Sequence, residues 1–196
     1  IYVNNRPVQV IKFSGGEIQV NLSNLIDGFK TNIVTAYIKS SDDIMTLIQT
    51  KAILDLQEFK QINLVLPYVP YGRSDRVMTD GECSGLKQFA KILNSLNFTN
   101  VLTYDPHSDV TEALIDNLTI LDQSICIDTV FKQFKVPYGN DFDYIVSPDA
   151  GANKKCVKLS KLLSIPMIEA SKVRCVQTGK ILKTSVNTQG LDLTGK

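Results

Sequence analysis

The sequence of 196 residues has no tryptophan, one histidine and no apolar run near the roughly 18 residues typical of a membrane span. No charged and then apolar leader opens the chain, so we expect a cytoplasmic protein without a membrane partner. The 21 Lys and Arg residues nearly balance the 20 Asp and Glu residues, which gives a formal net charge of +1. Because no positive excess is left to neutralise a phosphate backbone, nucleic acid is not an expected partner.

The cysteines lack the spacing of a metal site or a disulfide framework. Cys83, Cys126, Cys156 and Cys175 form no CxxC pair, and a single histidine adds little to a zinc ligand set. We therefore expect reduced thiols that pack in the core.

The sequence does contain a repeated alternation of short β-branched runs with longer amphipathic segments. The runs are NIVTAYIKS (32–40), INLVLPY (62–68), NVLTY (100–104) and FDYIV (142–146). This alternation predicts an α/β fold with mainly parallel sheets, because a strand followed by a helix returns to the sheet in the parallel direction. The opening IYVNNRPVQVIKF instead predicts a hairpin around an Asn-Asn-Arg-Pro turn.

Helices are predicted after the first two of these runs. Capping oxygens at 41–43 begin the first helix, and its apolar face is predicted to be Met45, Ile48, Ala52, Leu56 and Phe59. The face of the second is predicted to be Leu86, Phe89, Ala90, Leu93 and Leu96.

A turn-rich crossing near 121–124 predicts a boundary between two domains, 1–122 and 123–196. The chain starts at Ile1 rather than Met and stops at Lys196 within the stretch GLDLTGK. We therefore expect the second domain to be incomplete in this chain.

Polar segments follow three of the predicted strands: PYVPYGRSDR (67–76), DPHSD (105–109) and SPDAGAN (147–153). Because ligands bind at the carboxyl ends of parallel strands, we expect these segments to meet in one crevice. Their charged side chains include Arg73, Asp75, Arg76, Asp105, His107 and Asp149. Arginine donates in pairs to phosphate and carboxylates suit Mg²⁺, so this mixture predicts a polyphosphate site with a divalent cation.

Five segments in this order resemble motifs of the ribose-phosphate pyrophosphokinases, also called phosphoribosyl pyrophosphate synthetases. FSGGEIQV (13–20) is similar to the family's FxDGE turn, PYVPYGRSDR to its ATP segment and DPHSD to its aspartate-x-histidine motif. SPDAGA is similar to its ribose-side turn, and KVR (172–174) to its catalytic lysine-x-arginine. The resemblance implies two phosphoribosyltransferase-like domains, the first binding ATP and the second ribose phosphate.

The resemblance also implies an enzyme that transfers the β,γ-diphosphate of ATP to the 1-hydroxyl of ribose 5-phosphate. Mg²⁺ would be the cofactor, and phosphoribosyl pyrophosphate and AMP the products. Such a transfer depends on in-line positioning and charge neutralisation, so no covalent nucleophile is expected. Further copies of the chain would be partners, because the family usually builds its ATP site between subunits. The polar segment CVQTGKILKTSVNTQG (175–190) would be a mobile loop that closes over the reactants.

By matched position, the resemblance gives each candidate residue a role. The implied ATP-binding residues are Phe13, Glu17, Arg73, Asp75, Arg76 and His107. The implied metal ligands are Asp105, His107, Asp116 and Asp149. The implied ribose-binding residues are Asp149, Ala150, Gly151 and Ala152. The implied catalytic residues are Lys172, Arg174 and His107, of which the first two would neutralise the transferred diphosphate.

The chain departs from the family's motifs at several positions. Gly15 stands where the FxDGE turn has aspartate, and Ser74 stands where the ATP segment has glutamine. The loop that holds the sugar 5-phosphate in the family has no counterpart before Lys196.

Two other functions remain open at this point. An altered pocket would let the same chemistry act on a larger ester such as ADP-ribose, in a nicotinamide-coupling step of NAD salvage. A non-catalytic family member would instead assemble with an active synthetase and regulate it. The presence of His107, Asp149, Lys172 and Arg174 argues against the non-catalytic reading.

Overall fold

A computed structural model describes residues 1–25, 31–57, 59, 61–134, 142–175, 180–188, 190–191 and 193–195. The chain folds into two compact units, Ile1–Gln123 (unit 1) and Ser124–Lys196 (unit 2). Among the helices of the described residues, none is both long and apolar enough to cross a membrane.

Unit 1 is built on a six-stranded sheet and a separate hairpin. Its strands are β1 (Tyr2–Val3), β2 (Arg6–Pro7), β3 (Gln9–Lys12), β4 (Ile18–Asn21), β5 (Thr31–Thr35), β6 (Gln61–Leu66), β7 (Asn100–Tyr104) and β8 (Leu118–Leu121). The strand order in the sheet is β2-β1-β5-β6-β7-β8, and β5 to β8 are parallel. The strands β3 and β4 form the separate antiparallel hairpin. The predicted α/β class with a mainly parallel sheet is confirmed.

The amino-terminal hairpin forms because two asparagines make its turn. Tyr2 pairs with Pro7 and Val3 with Arg6, while Asn4 and Asn5 adopt positive φ values of 50° and 64°. Asparagine tolerates this left-handed conformation better than other non-glycine residues, and two such residues in sequence favour a tight hairpin. β1 also pairs antiparallel with β5, so the hairpin extends the parallel sheet at one edge.

The first helix, α1 (Ser41–Leu56), begins where the sequence predicts but buries a different face. The Ser40 side chain accepts a hydrogen bond from the Asp43 amide, and the Asp43 carboxylate accepts one from the Ser40 amide, which completes a capping box. The buried residues are Thr46, Leu47, Thr50, Lys51 and Leu54. The predicted face is wrong, since Met45 is 46% exposed and Leu56 is 80% exposed.

The reason for this error lies in the composition of α1. Apolar residues are spread around the helix, so their spacing does not select one side, and the buried stripe contains polar residues. Among these, Lys51 Nζ contacts Asp55 Oδ1 at 2.6 Å and lies 5.5 Å from the ring centroid of Phe98. These contacts let a charged residue lie on the buried face.

The second helix, α2 (Gly85–Ser95), buries the predicted face. Leu86, Phe89, Ala90 and Leu93 are each at most 2% exposed. The core of unit 1 joins these side chains to alternate residues of the parallel strands, among them Val34, Leu64, Leu66 and Val101. A short helix, α3 (Val110–Leu114), follows β7.

The junction of the units differs from the predicted turn-rich crossing. β8 ends at Leu121, and α4 (Gln123–Phe134) begins after a single residue, Asp122. β8 pairs with β7 in parallel from Val101↔Leu118 to Tyr104↔Leu121, so this segment extends the sheet. The sequence pattern predicts neither element.

Unit 2 also contains β9 (Ile145–Ser147), α5 (Asn153–Leu163), β10 (Met167–Arg174) and β11 (Ile181–Asn187). Its three-stranded sheet has the order β11-β10-β9, with β9 and β10 parallel and β10 and β11 antiparallel. The buried residues described in this unit are Ser147, Leu163, Ile165, Ile168 and Ala170. Four of these five residues are apolar, and α5 packs on β9 and β10.

The segment 175–190, predicted to be a loop, contains the strand β11. Its β-branched residues, including Thr184 and Val186, favour an extended chain that pairs with β10 from Glu169↔Asn187 to Arg174↔Ile181. The prediction of a loop is therefore wrong for 181–187. Residues 176–179 and 189 of the predicted loop lie outside the described residues.

The thiols are unpaired, as predicted, but they are not core residues. Cys83 and Cys126 are exposed, and Cys156 and Cys175 are half-buried.

Candidate active site

Two of the three polar segments belong to unit 1, and the structure brings them into contact. Segment 67–76 follows β6, and the turn 105–109 follows β7, its parallel neighbour. A methyl group in place of a hydrogen of Gly72 would lie 3.4 Å from Cβ of His107 and 3.2 Å from the carbonyl oxygen of Val69. A side chain at position 72 would therefore press on the histidine turn, and glycine allows the two turns to lie this close.

Asp75, in the first of these turns, forms an ion pair with its neighbour Arg76. Its carboxylate accepts hydrogen bonds from Arg76 Nε at 3.1 Å and from Arg76 Nη2 at 3.4 Å. The Asp75 side chain is only 8% exposed, whereas that of Arg76 is 67% exposed. The bond from Arg76 is the largest cause that holds the pKa of Asp75 below its ordinary value. Asp75 is therefore an anion at neutral pH that orients an exposed guanidinium.

A hydroxyl from the histidine turn also acts on this carboxylate. The hydroxyl of Ser108 is the second cause that lowers the pKa of Asp75, and its Oγ is buried. Sequence reasoning did not single out Ser108. The only sequence signal was a second polar residue directly after His107.

The exposed groups around Asp75 are mainly hydrogen-bond donors. Arg73, Arg76 and His107 are all exposed beyond the carboxyl ends of the two strands. Asp105 is exposed as well and adopts a positive φ of 41°. Two guanidinium groups and an imidazole at the carboxyl ends of β6 and β7 can donate hydrogen bonds to a phosphate chain.

Asp116 lies at the amino ends of the parallel strands, whereas these groups lie at the carboxyl ends. It precedes β8, whereas Asp105 follows β7, and the two strands are parallel and in register from Val101↔Leu118. The length of β7 separates the two aspartates, roughly 15–20 Å at about 3.3 Å per residue. The structure does not bring Asp116 to Asp105 and His107, so we remove it from the candidate metal ligands.

Phe13 and Glu17 lie in the turn of the β3–β4 hairpin. The Phe13 amide donates to the Glu17 carbonyl at 2.8 Å, and Gly16 has a positive φ of 92°. Both residues line an open groove of about 480 Å³ whose other lining residues are Ile18, Gln19, Met45 and Gln49. No described residue of the turns after β6 and β7 lines this groove.

In unit 2, the third polar segment places Asp149 against Lys172. Lys172 lies in β10, and its Nζ forms an ion pair with Oδ2 of Asp149. The Lys172 side chain is 27% exposed and the Asp149 side chain is 30% exposed. The hydrogen bond from Lys172 is the largest cause that lowers the pKa of Asp149 below its ordinary value. The Ala152 amide, which donates to Asp149 Oδ1 at 3.1 Å, and the Gly151 amide act in the same direction.

These backbone contacts revise one expectation about the turn. Ala150, Gly151 and Ala152 were expected to bind ribose, and the alanines and the glycine offer only backbone groups for this role. The Ala152 amide donates instead to the carboxylate of Asp149, and the Asn153 amide donates to the carbonyl of Ala150 at 3.4 Å. The Asp149 carboxylate remains the group of this turn that faces Lys172.

Arg174 ends β10, and its side chain lies outside the described part of the structure. The pairing of β10 with β11 shifts between Val173 and Arg174. The additional residue at this irregularity is Leu182 of β11, which lies between the partners Lys183 and Ile181.

A polar network beneath the Asp149 turn was not predicted. Ser147 Oγ contacts Asn153 Oδ1 at 2.6 Å, and Asn153 Nδ2 donates to Glu169 Oε1 at 3.3 Å. Ser147 and Glu169 are paired in the parallel register of β9 and β10. The network joins the two ends of the turn to the strand that carries Lys172. No sequence spacing reveals it, because Glu169 lies 16 residues from Asn153 and meets it only in the folded chain.

Among the described residues, no group of three or more His, Cys, Asp and Glu side chains is placed to hold a metal ion. Mg²⁺ commonly binds one or two carboxylates together with substrate phosphates and water. Asp149, which is ionised at neutral pH, fits that mode of binding, and so does the exposed Asp105.

Residues 1–96 match the family model for the N-terminal domain of ribose phosphate pyrophosphokinase. The N-terminal part of the chain belongs to the ribose-phosphate pyrophosphokinase family. The chain is 30% identical to ribose-phosphate pyrophosphokinase of Halalkalibacterium halodurans over 166 residues, which cover 84% of this chain and 52% of the relative. It is also 30% identical to the Bacillus subtilis enzyme, with 84% of this chain and 51% of the relative covered. The chain thus spans about half the length of the curated relatives it matches.

The fold of the chain is similar to a solved structure. The crystal structure of phosphoribosylpyrophosphate synthetase from Mycobacterium smegmatis matches with a TM-score of 0.71 and 20% identity. The match covers 92% of this chain and 58% of the other. At this identity the likeness shows the fold, and it agrees with the predicted phosphoribosyltransferase-like architecture.

Proposed function

We propose that the protein transfers the β,γ-diphosphate of ATP to the 1-hydroxyl of ribose 5-phosphate, giving phosphoribosyl pyrophosphate and AMP. The observation that carries this proposal is the contact between Lys172 and Asp149. It places a cation suited to a transferred diphosphate beside a carboxylate suited to sugar hydroxyls, at the carboxyl end of β9. The names of the relatives support the same reaction.

In the proposed reaction, a bond forms between the sugar 1-oxygen and the β-phosphorus of ATP. The bond between that phosphorus and the oxygen bridging to the α-phosphorus breaks, AMP leaves, and the proton of the 1-hydroxyl is released to solvent. Lys172 acts by donating to oxygens of the transferred group, where negative charge is concentrated in the transition state. Asp149 accepts hydrogen bonds from the ribose hydroxyls and so orients the attacking oxygen.

In unit 1, the proposed role of the paired turns is to hold the triphosphate. Asp75 orients Arg76, and Arg73 and His107 are exposed at the carboxyl ends of the same two strands, β6 and β7. A guanidinium that is already paired with a carboxylate loses less conformational freedom when it binds an anion than a free one does. Asp105 in unit 1 and Asp149 in unit 2 are each proposed to hold a Mg²⁺ ion together with substrate phosphates, and the ion would neutralise phosphate charge when bound.

Ribose 5-phosphate is the acceptor that we propose, because the relatives from Halalkalibacterium halodurans and Bacillus subtilis are named for a ribose phosphate. Nothing in the described residues favours ADP-ribose over it. A non-catalytic regulatory role would not need Lys172 beside Asp149. Assembly into a homo-oligomer and a location in the cytoplasm remain predictions.

The proposal is tested by incubating the full chain with ATP and Mg²⁺ and measuring AMP and ADP release by chromatography. Separate reactions contain ribose 5-phosphate, ADP-ribose or no acceptor. We expect AMP only with ribose 5-phosphate. AMP only with ADP-ribose would replace the acceptor, ADP would indicate transfer of the γ-phosphate alone, and no nucleotide product would favour the regulatory role.

A further inference from the structure

We propose that Ser74 is a positioning residue that holds segment 67–76 against the start of α2. The inference rests on the proposed function, because the segment it holds is the one assigned to ATP. Ser74 stands where the family has glutamine. Its shorter side chain does not extend toward a ligand but contacts the start of α2.

The polar atoms of Ser74 are used within the protein. Its amide donates to the Tyr71 carbonyl at 2.8 Å, and its Oγ accepts from the Gly85 amide at 3.1 Å. Its carbonyl accepts from Ser84 Oγ and from the Leu86 amide, each at 3.1 Å. Three of these four bonds join the segment to the first residues of α2.

These bonds also complete the start of the helix. The first amides of a helix have no partner within it. In α2, Ser74 satisfies the amides of Gly85 and Leu86, and the N-cap Ser84 satisfies the amides of Lys87 and Gln88. The first four amides of the helix are therefore occupied and are not open to a phosphate.

Tyr71 shows that the segment is held in a strained conformation. It has a positive φ of 60°, which is rare for a residue with a large side chain. Its ring lies 6.1 Å from that of Phe89, and a methyl group on Gly85 would lie 3.1 Å from Tyr71 Cδ1 and 3.3 Å from Ser74 Oγ. Gly85 thus leaves the space that both residues occupy, and the packing of α2 maintains the strain.

The consequence concerns the residues on either side of Ser74. Arg73 precedes it and Asp75 follows, and Asp75 orients Arg76. Gly72 lies against His107 in the adjacent turn. Ser74 therefore sets the backbone from which the proposed ATP contacts project, and its effect on ATP passes through those residues.

The test compares Ser74→Ala, Ser74→Gln and Ser74→Thr in the full chain, with ATP binding measured by calorimetry in the presence of Mg²⁺. Loss of the Oγ acceptor is expected to weaken ATP binding about tenfold in the alanine variant, the size of a net hydrogen bond. Glutamine is expected to weaken it at least as much, because it lacks the short hydroxyl and adds bulk against Gly85. Threonine keeps the hydroxyl and is expected to bind within about threefold of the unsubstituted chain.

The matched control is Thr99→Ala. Thr99 Oγ1 accepts from the Ile62 amide at 3.2 Å. The variant therefore also loses a bond from a backbone amide to a hydroxyl, but at the amino end of β6, away from segment 67–76. It is expected to lose similar stability while keeping its ATP affinity. Gly85→Ala serves as a second variant, and its added methyl group is expected to weaken ATP binding as Ser74→Ala does.

Amide hydrogen exchange separates this inference from the proposed function. Exchange of the Gly85 amide is expected to accelerate in Ser74→Ala and to be unchanged in Thr99→Ala. Unchanged Gly85 exchange, or ATP binding that improves in Ser74→Gln, overturns the positioning role. An unsubstituted chain that binds no ATP contradicts the proposed function, and the nucleotide role of Ser74 with it, even where the Gly85 exchange behaves as expected.

Discussion

The two units hold their candidate residues by different means. In unit 1, the turns after β6 and β7 follow strands with fully buried residues such as Leu64 and Leu66. In unit 2, few described residues are buried, and β11 is exposed along its whole length. There the Asp149 turn is held by an ion pair to Lys172 and by the network from Ser147 to Glu169.

This difference predicts which kinds of substitution disturb the candidate residues of each unit. Packing fixes the shape of the unit 1 turns, so apolar and glycine substitutions should disturb them. Polar contacts fix the unit 2 turn, so charge substitutions, pH and salt should disturb it. The predictions below test that contrast in order of expected size.

The largest expected effect is on catalysis by unit 2. Lys172→Ala is expected to lower the rate of AMP release about 1,000-fold, since donors to transition-state charge typically contribute 100- to 1,000-fold. ATP affinity is expected to change less than about twofold, because the lost interaction belongs to the transition state. Single-turnover kinetics and calorimetry measure the two quantities.

Lys183→Ala is the control for this prediction. Lys183 pairs with Val173 and lies one residue from Thr184, the partner of Lys172, so regular alternation places the two lysines on opposite faces of the hairpin. The control removes the same charge and is expected to keep its rate. Equal losses in both variants would show that the hairpin's general charge matters, and not the position of Lys172.

The next effect is on stability and contrasts the two units directly. Leu64→Ala is expected to lower the free energy of unfolding by about 2–5 kcal/mol, because Leu64 is fully buried. Leu182→Ala, at a residue that is 67% exposed, is expected to change it by less than about 0.5 kcal/mol. Urea unfolding followed by NMR signals of each unit measures both. Similar losses would remove the contrast in packing.

A smaller effect is expected from two glycine substitutions. The added methyl group of Gly72→Ala would lie 3.2 Å from the Val69 carbonyl and 3.4 Å from His107 Cβ, so ATP affinity should fall about fivefold. Gly151→Ala would place its methyl group 3.3 Å from Asp149 Oδ1 and should weaken ribose 5-phosphate binding instead. Calorimetry with each ligand decides the assignment, and the reverse pattern would refute it.

The smallest effect is the dependence of stability on pH. The pKa of Asp149 is lowered in the folded state, mainly by the bond from Lys172. Its contribution is therefore complete above the ordinary pKa of an aspartate, roughly 3.9, and is lost as the pH falls through the lower folded value. Asp149→Asn should lower the free energy of unfolding at pH 7 and have no such effect in strong acid.

Salt and a double variant sharpen this prediction. Because the pair is partly exposed, about 0.5 M NaCl should reduce the difference at pH 7. The combined Asp149→Asn and Lys172→Ala variant should lose less than the sum of the single variants. A strictly additive loss would mean that the pair contributes nothing to stability.

The sequence predicted the fold where local and tertiary signals agree. The face of α2 follows from its apolar spacing, and Leu86 and Phe89 are buried as expected. The face of α1 does not, because Lys51 is buried through contacts with Asp55 and Phe98 that only the folded chain creates. β11 was missed because an exposed strand of an antiparallel hairpin shows no apolar alternation.

The candidate site shows the same limit. Contact between the turns at Gly72 and His107 follows from parallel topology, which brings the carboxyl ends of β6 and β7 together. Asp116 lies far from Asp105 because it precedes β8, a strand parallel to β7 that the sequence pattern does not predict. The roles of Ser74 and Asn153 depend on partners distant in sequence, and no local pattern contains them.

The most direct test of the division of binding between the units is an NMR titration of the full chain with α,β-methylene-ATP and, separately, with ribose 5-phosphate. We expect the ATP analogue to shift the amide signals of Gly72 and His107, and ribose 5-phosphate to shift those of Asp149 and Lys172. Shifts of the same turn by both ligands, or of neither turn, would contradict this division.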